Sequence, residues 1–326
     1  MGVKMEWNDY WENLLIKNKL KNKVNEINEI DIEKCGECKL EEICHKIFDD
    51  YESYRIELEE VRQKILRIVE KLPEVHLQTS RIKKVDSLLC KIIEKKYAHM
   101  LDRTNLYSIL SNENYKDIIT DLIGIRLIIS YRGKWKELHN GIIEIFPYKS
   151  DIEVYEKFEF VPHSVKGDGF LAEIPKAYYA YGDDLSIYDD VLVNKKLKDN
   201  GYRSVHYIVS FMGVYIEIQA RTIYDEAWND CDHNFVYKKE SCMSFSALKE
   251  LSGVLSLLTN TSNDLGEIMQ QIYELELLNE FNGKYYIKND RELKLNKISD
   301  NIETVHNLLR DFESNIMKTG GVNFGK

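Results

Sequence analysis

The sequence predicts a mixed α/β (α+β) fold: a sheet containing antiparallel strands, flanked by helices and carrying helical extensions before and after it. Three observations carry this. Residues 202–221 alternate as two strands about a tight turn, and residues 122–131 form a run too apolar for a half-exposed helix. Residues 1–72 and 245–317 place apolar side chains at helical spacing.

In chain order, Tyr54, Leu58, Val61, Ile65, Ile68, Val69 and Leu72 recur at helical spacing until Pro73 stops the run. A second helix is expected over 81–97 from Val85, Leu88, Leu89, Ile92, Ile93 and Tyr97. The stretch 122–131, LIGIRLIISY, reads as a buried strand. Trp135, Leu138, Ile142, Ile143 and Phe146 then form one helical stripe. Residues 147–196 are rich in tyrosine and hold Lys166-Gly167-Asp168-Gly169, Pro175 and Gly182-Asp183-Asp184. Short strands and loops are expected there, with FLAEIPKAYYAY as the strand region.

The hairpin is the clearest local signal. YRSVHYIVSF and VYIEIQAR flank Met212-Gly213, a two-residue turn in which Gly supplies positive φ. Pairing Phe211 with Val214 sets Ile208 opposite Glu217, His206 opposite Gln219 and Ser204 opposite Arg221. Strand period then gathers Tyr202, His206, Glu217, Gln219 and Arg221 on one face, with Val205, Val209, Ile216 and Ile218 on the other. A slip of one residue would scatter that set. Beyond Arg221, Ile223, Ala227, Trp228, Cys231 and Phe235 are spaced to pack as a helix, and helix continues from 245 to 317 before TGGVNFGK frays. The chain thus divides into a helical region 1–72, a central α/β region 73–240 and a helical region 241–326.

Composition sets the outer bounds. Of 326 residues, 44% are hydrophobic and 31% charged, as in globular domains. No apolar run nears the roughly 20 residues of a membrane helix, and the start lacks a basic-then-apolar leader pattern, so a cytoplasmic protein without membrane contact is expected. A net charge of −10 argues against broad nucleic-acid binding. Within that acidic average, Arg81, Lys83, Lys84, Lys91, Lys95 and Lys96 form one basic cluster and Lys195, Lys196, Lys198 and Arg203 another. Such clusters suit a small polyphosphate, though solvated faces look the same by charge alone. The group Cys35, Cys38, Cys44 and His45 has partial metal-ligand spacing; reduced thiols on a helical turn are the simpler account, and the sequence leaves zinc or iron there open.

Phosphoryl-type transfer needs cations around phosphates, carboxylates for Mg²⁺ and an aimed nucleophile. Asp121 opens DLIGIRLI and Glu217 sits in EIQART; carboxylates from neighbouring strands can share one Mg²⁺. Taken singly, each is an ordinary residue. Arg126, one of few charges in an apolar strand, either faces a site or needs a buried carboxylate partner.

GYRSVHYIV (201–209), EIQARTIYDEAWNDCDHNFVYK (217–238), DLIGIRLI (121–128) and Arg81-x-Lys83-x7-Lys91 together resemble the synthetase domain of RelA/SpoT proteins, which make the alarmones ppGpp and pppGpp. The resemblance spans about 75–240, the synthetase domain being placed at 73–240, and implies a fold like that of nucleotidyltransferases. It implies ATP binding by Arg81, Lys83 and Lys91, and Mg²⁺ on Asp121 and Glu217, the catalytic pair. By the same resemblance Glu217 would hold the metal or activate the 3′-hydroxyl. Tyr202 would stack on the acceptor guanine beside His206, with Lys198 and Asn200 near the acceptor phosphates. Gln219, Arg221, Trp228 and His233 fit the downstream signature as support for the site. By their own surroundings Trp228 reads as core packing rather than ligand contact, and His206 equally as a satisfied core histidine.

The expected activity is therefore a GTP/GDP pyrophosphokinase, moving the β,γ-pyrophosphate of ATP to the 3′-hydroxyl of GDP or GTP. Two departures leave the acceptor open: DRTNLYSILSNENYKD lengthens the Lys91–Asp121 spacing, and 150–195 is long. Pyrophosphorylation of a tRNA 3′-end and a silent nucleotide-binding regulator are the alternatives. Hydrolase-bearing relatives carry a histidine–aspartate domain; here 1–72 holds only His45 and no His-Asp dipeptide occurs, so synthesis without hydrolysis is expected. Oligomeric state, including a homo-oligomer, is not legible.

Overall fold

The computed structural model describes residues 6–35, 39–102, 104–148, 169–236 and 245–282, and part of 299–310, where the described positions are helical. The loops expected within 149–168, Cys38 and the Cys35 side chain, the stretch 283–298 and the C-terminal end lie outside the described residues.

Three helices lead the chain: α1 (Trp7–Lys17), α2 (Lys21–Cys35) and α3 (Leu40–Val69). Along α3, Leu58, Val61, Ile65 and Val69 are buried at the three- and four-residue spacing of one helix face. The helix ends at Val69, four residues ahead of Pro73. There follow β1 (Leu77–Ile82), α4 (Val85–His99), the short α5 (Tyr115–Ile118), β2 (Ile123–Ile129) and α6 (Trp135–Ile145). The second half holds β3 (Phe170–Leu171), β4 (Lys176–Tyr179), β5 (Asn194–Leu197), β6 (Ser204–Phe211), β7 (Val214–Thr222), α7 (Ile223–Cys231) and α8 (Phe245–Asn282). None of the described helices is long and apolar enough to cross a membrane.

The strands form one mixed seven-stranded sheet in the order β1-β2-β7-β6-β4-β5, with β3 also paired to β6. β2 and β7 run parallel, while β1 pairs β2, and β6 pairs β7, antiparallel. The mixed α/β class read from the sequence is the one observed. The hairpin register is also as read: Phe211 pairs Val214, Ile208 pairs Glu217 and His206 pairs Gln219. Met212 and Gly213 both take positive φ, 53° and 72°, the tight turn whose twist matches the strands. Val205, Val209, Ile216 and Ile218 are buried in the main core with Ile123, Ile125 and Leu127 of β2 and Trp135, Leu138 and Ile142 of α6. The opposite face carries Glu217, Gln219 and Arg221, beside a small apolar patch of Phe170, Ala172, Ile208 and Tyr215.

Two expectations are corrected. The helix expected from 81 starts at Val85; Arg81 lies on β1, which pairs β2 with Arg81 opposite Gly124, and Lys83 follows the strand end. Backbone pairing to the apolar β2 prevails over the local pattern, which is weak because β1 alternates exposed and half-buried side chains. Beyond β7, Trp228 packs as expected, but Ile223, Ala227 and Phe235 are exposed. The helix ends at Cys231, and a π-helical turn over Asp232–Val236 shifts Phe235 off the buried stripe.

The N-terminal helices dock onto the β1–α4 segment through polar anchors. Tyr51 donates to the Lys83 carbonyl at 2.7 Å, Arg62 to Ser80 at 2.7 Å, Tyr10 to Asp86 at 2.6 Å and Tyr97 to Glu26 at 2.9 Å. Cys44 is buried on α3, and neighbouring His45 stacks on Trp7 with ring centres 4.1 Å apart. At the far end of α3, Gly141 of α6 meets the Leu72–Pro73 corner: a Cβ there would stand 2.7 Å from Pro73 Cδ and 3.1 Å from Leu72 Cδ2. Gly141→Ala should therefore destabilise the protein by about 1–3 kcal/mol, although alanine favours helix by about 1 kcal/mol. Denaturant unfolding checks this, and a stabilised variant would refute the close approach.

Candidate active site

Asp121 stands at the entrance to β2, where the chain leaves Ile119 in extended conformation, and meets two cations. Lys83 Nζ donates to its Oδ2 at 2.8 Å, and Lys91 Nζ lies 2.9 Å from Oδ1 as an ion pair outside hydrogen-bond angles. Burial raises the Asp121 pKa and Glu217 adds to the rise, but Lys91 and Lys83 outweigh both and hold the carboxyl below its ordinary value. The carboxylate is ionised at neutral pH.

Glu217 lies on β7 between two hydrogen-bond donors. His206 Nδ1 is 3.2 Å from Oε1, and Gln219 Nε2 donates to Oε2 at 2.5 Å. The bonds continue into a closed ring. Arg221 Nη2 donates to the Tyr202 hydroxyl at 2.7 Å and to Gln219 Oε1 at 2.7 Å; the Tyr202 hydroxyl is 2.8 Å from His206 Nε2. One branch runs from Arg221 through Gln219 to Glu217 as final acceptor, and the other joins Arg221 through Tyr202 and His206 to the same carboxylate. Burial works against ionisation of Glu217, but His206 first, then Lys91 and Gln219, carry its pKa down to about 2.

Register explains the gathering. Arg81, Gly124, Glu217 and Ile208 lie in one row across four strands, and Arg126, Gln219 and His206 two residues further on, in the next row of the same face. Gly124 leaves the floor clear under Arg81, whose Cγ would stand 3.8 Å from a Cβ there. Arg81, Asp121, Arg126, Glu217 and Gln219 line a cleft of about 620 Å³ of empty space. An adjoining open groove of about 1600 Å³ is lined by Arg81, Lys83, Lys84, Lys91, Lys17 and His233 among others. The basic triad and the two acidic residues expected from the sequence thus meet in one place. Among the described residues no three His, Cys, Asp or Glu side chains gather as a metal site. Asp121 and Glu217 nevertheless suit Mg²⁺, which takes one or two carboxylates and completes its shell with water and phosphate oxygens. Both are ionised, and each raises the electrostatic cost of the other. His206 and Gln219 leave further acceptor capacity on the two Glu217 oxygens.

Tyr202 and His206 reach the cleft through Glu217 rather than lining it. Tyr178 of β4 stands beside them, edge-on to Tyr202 at 5.7 Å and to His206 at 4.7 Å, with the Lys198 ammonium 5.0 Å from the Tyr178 ring centre. Asn200 is more local: its side chain accepts from the Tyr202 backbone N–H at 3.3 Å, an Asx turn that sets the entry to β6. Gly201 completes that turn at φ 88°, with Ser256 too close for a side chain. Trp228 is core, donating to the Ser252 carbonyl at 3.0 Å.

Two residues escape the sequence reading. Tyr178 is one of many tyrosines in 147–196, and only its pairing between Asn194–Leu197 and Ser204–Phe211 sets it in the aromatic group. Glu226 accepts from Arg126 Nη1 at 2.6 Å and from Arg221 Nη1 at 2.7 Å. A lone arginine in an apolar strand demands a carboxylate somewhere, but the sequence does not say which one.

The model of the region found in RelA/SpoT proteins matches residues 80–242, and the chain belongs to that family. No match is found among curated proteins. Similar solved structures include a GTP pyrophosphokinase family protein from Streptococcus pneumoniae, 18% identical with a TM-score of 0.35, covering 73% of this chain and 96% of that one. The small alarmone synthetase 1 from Bacillus subtilis bound to its product pppGpp is 19% identical with a TM-score of 0.39, covering 68% and 93% respectively. The same Bacillus enzyme bound to AMPCPP aligns at 13% identity and a TM-score of 0.35 over 81% and 99%.

Because the Glu217 pKa falls from 4.5 to about 2 on folding, the unfolded chain binds more protons between those values. The contribution of the Glu217 charge to stability is complete above about pH 4.5 and is lost as pH falls toward 2. Melting temperatures of wild type and Glu217→Gln, compared from about pH 7 to about pH 3, should show the wild type losing ground relative to the variant as acid is added. A difference independent of pH over that range contradicts the assignment.

Proposed function

We propose that this chain transfers the β,γ-pyrophosphate of ATP to the 3′-hydroxyl of GDP or GTP, giving ppGpp or pppGpp and AMP. Membership of the RelA/SpoT family supports the reaction class. The observation that carries the reading to this site is Glu217: ionised, held by His206 and Gln219, and sharing a cleft with Arg81 and Asp121.

In this reading Arg81, Lys83 and Lys91 hold the ATP phosphates, and Lys83 and Lys91 pass from pairing with Asp121 alone to bridging it and the nucleotide. Asp121 and Glu217 would hold Mg²⁺, which when bound neutralises charge on the phosphate oxygens. Tyr202 receives the acceptor base by stacking, beside Tyr178 and His206, and Lys198 and Asn200 lie toward the acceptor phosphates. The ribose 3′-oxygen forms a bond to the β-phosphorus as the bond to the α,β-bridging oxygen breaks, and AMP leaves. Glu217 can accept a hydrogen bond from the attacking hydroxyl and so aim it. A carboxylate with a pKa of about 2 is a poor store for the released proton, which goes on to water. The weight of the site falls on charge and geometry, as expected for phosphoryl-type transfer.

Glu217→Gln keeps the size and one acceptor oxygen but removes the charge. Turnover with labelled ATP and GDP should fall by about 10²–10³ or more, while circular dichroism remains that of the wild type. Activity within a few-fold of wild type would sink the assignment.

A further inference from the structure

We infer that Glu226 is a positioning residue that couples the ATP side of the cleft to the acceptor side. The inference rests on the functional reading above and adds to it a residue outside both nucleotide sites. Each Glu226 oxygen serves a different guanidinium: Oε1 accepts from Arg126 Nη1 at 2.6 Å, and Oε2 from Arg221 Nη1 at 2.7 Å. Arg126 lines the cleft with Arg81 and Asp121. Arg221 stands at the head of the ring that holds the Tyr202 hydroxyl, Gln219 and, through them, Glu217.

The bridge is built into the backbone. β2 and β7 are parallel neighbours with Arg126 opposite Gln219, so Arg126 and Arg221 emerge on one face within reach of a single carboxylate. α7 opens with a reciprocal cap in which Thr222 and Asp225 bond each other's backbone N–H groups. That cap fixes the first turn and leaves Glu226, the next residue, aimed back at both arginines. Two charge-assisted bonds donated to one carboxylate, one from each guanidinium, tie the two arginines together. Arg221 is almost wholly buried, so its tilt has few alternatives while Glu226 holds it. A donor nucleotide that draws Arg126 toward itself pulls on Glu226, and through Arg221 on the Tyr202 hydroxyl.

The test is calorimetric titration with GDP, without ATP, of the wild type, Arg126→Gln, Glu226→Gln and the double variant. Arg126 bonds neither Tyr202 nor His206 directly and is tied to Arg221 by Glu226, so an effect of Arg126→Gln that passes through the bridge must vanish once Glu226 is already changed. Arg126→Gln should weaken GDP binding about fivefold and Glu226→Gln about tenfold, and the double variant should be no weaker than Glu226→Gln alone. Should Glu226→Gln melt well below the wild type, Glu226→Asp serves instead, since the shorter side chain keeps the charge but cannot span both arginines. GDP affinity unchanged by Arg126→Gln, or losses that multiply in the double variant, would overturn the coupling. A chain that shows the non-additive pattern yet transfers no pyrophosphate would sink the functional reading and keep the coupling. One that transfers pyrophosphate with multiplying losses would do the reverse. Absence of binding of both GDP and GTP by the wild type would remove both.

Discussion

A carboxylate withdrawn from water resists ionisation, and Asp121 and Glu217 are both largely withdrawn, with side chains only 17% and 20% exposed. Each also bears the field of the other. Uncompensated, such a pair would cost several kcal/mol per charge or share a proton. Two different devices keep both ionised. Asp121 is held by direct charge, between Lys83 and Lys91. Glu217 is held first by His206, then by the charge of Lys91 and the hydrogen bond from Gln219. The proposed transfer needs the pair in this state, and most polar residues on the site face serve to keep it there.

The two devices come from different parts of the fold. The cations of Asp121 arrive on the β1–α4 segment, itself anchored by Tyr51 to the Lys83 carbonyl and by Tyr10 to Asp86. The ring around Glu217 belongs to the β6–β7 hairpin and the entry of α7. Where they meet, Glu226 ties Arg126 of β2 to Arg221 of β7. The sheet order β1-β2-β7-β6 therefore sets the cations of the β1–α4 segment against the aromatic group beside β6 across two central strands.

Much of this was legible in the sequence, and unevenly so. The hairpin could be read to the residue because Met212-Gly213 fixes its register and period two then places every side chain. β2 was legible because a run such as LIGIRLII has few other places to go. The start of α4 was not: LQTSRI is polar in alternation, its strand character comes from pairing with β2, and only that partner puts Arg81 on the sheet instead of a helix. The ring around Glu217 was half legible, as a polar face; its closure depends on side-chain lengths and rotamers that periodicity does not carry. Tyr178 and Glu226 stayed hidden for the same reason, since each joins the site through a partner distant in sequence. Asp121 shows the limit from the other side, being recognisable by motif while its lysine partners were expected on one helix.

The most direct measurement of the central claim uses ATP labelled at the β-phosphate. Purified protein is incubated with it and Mg²⁺, with GDP, GTP or tRNA offered separately. Pyrophosphate transfer predicts label on GDP or GTP with one unlabelled AMP released per acceptor modified. Label retained in ADP would mean that only the terminal phosphate moves, and label on tRNA alone would mean a different acceptor; either result contradicts the account.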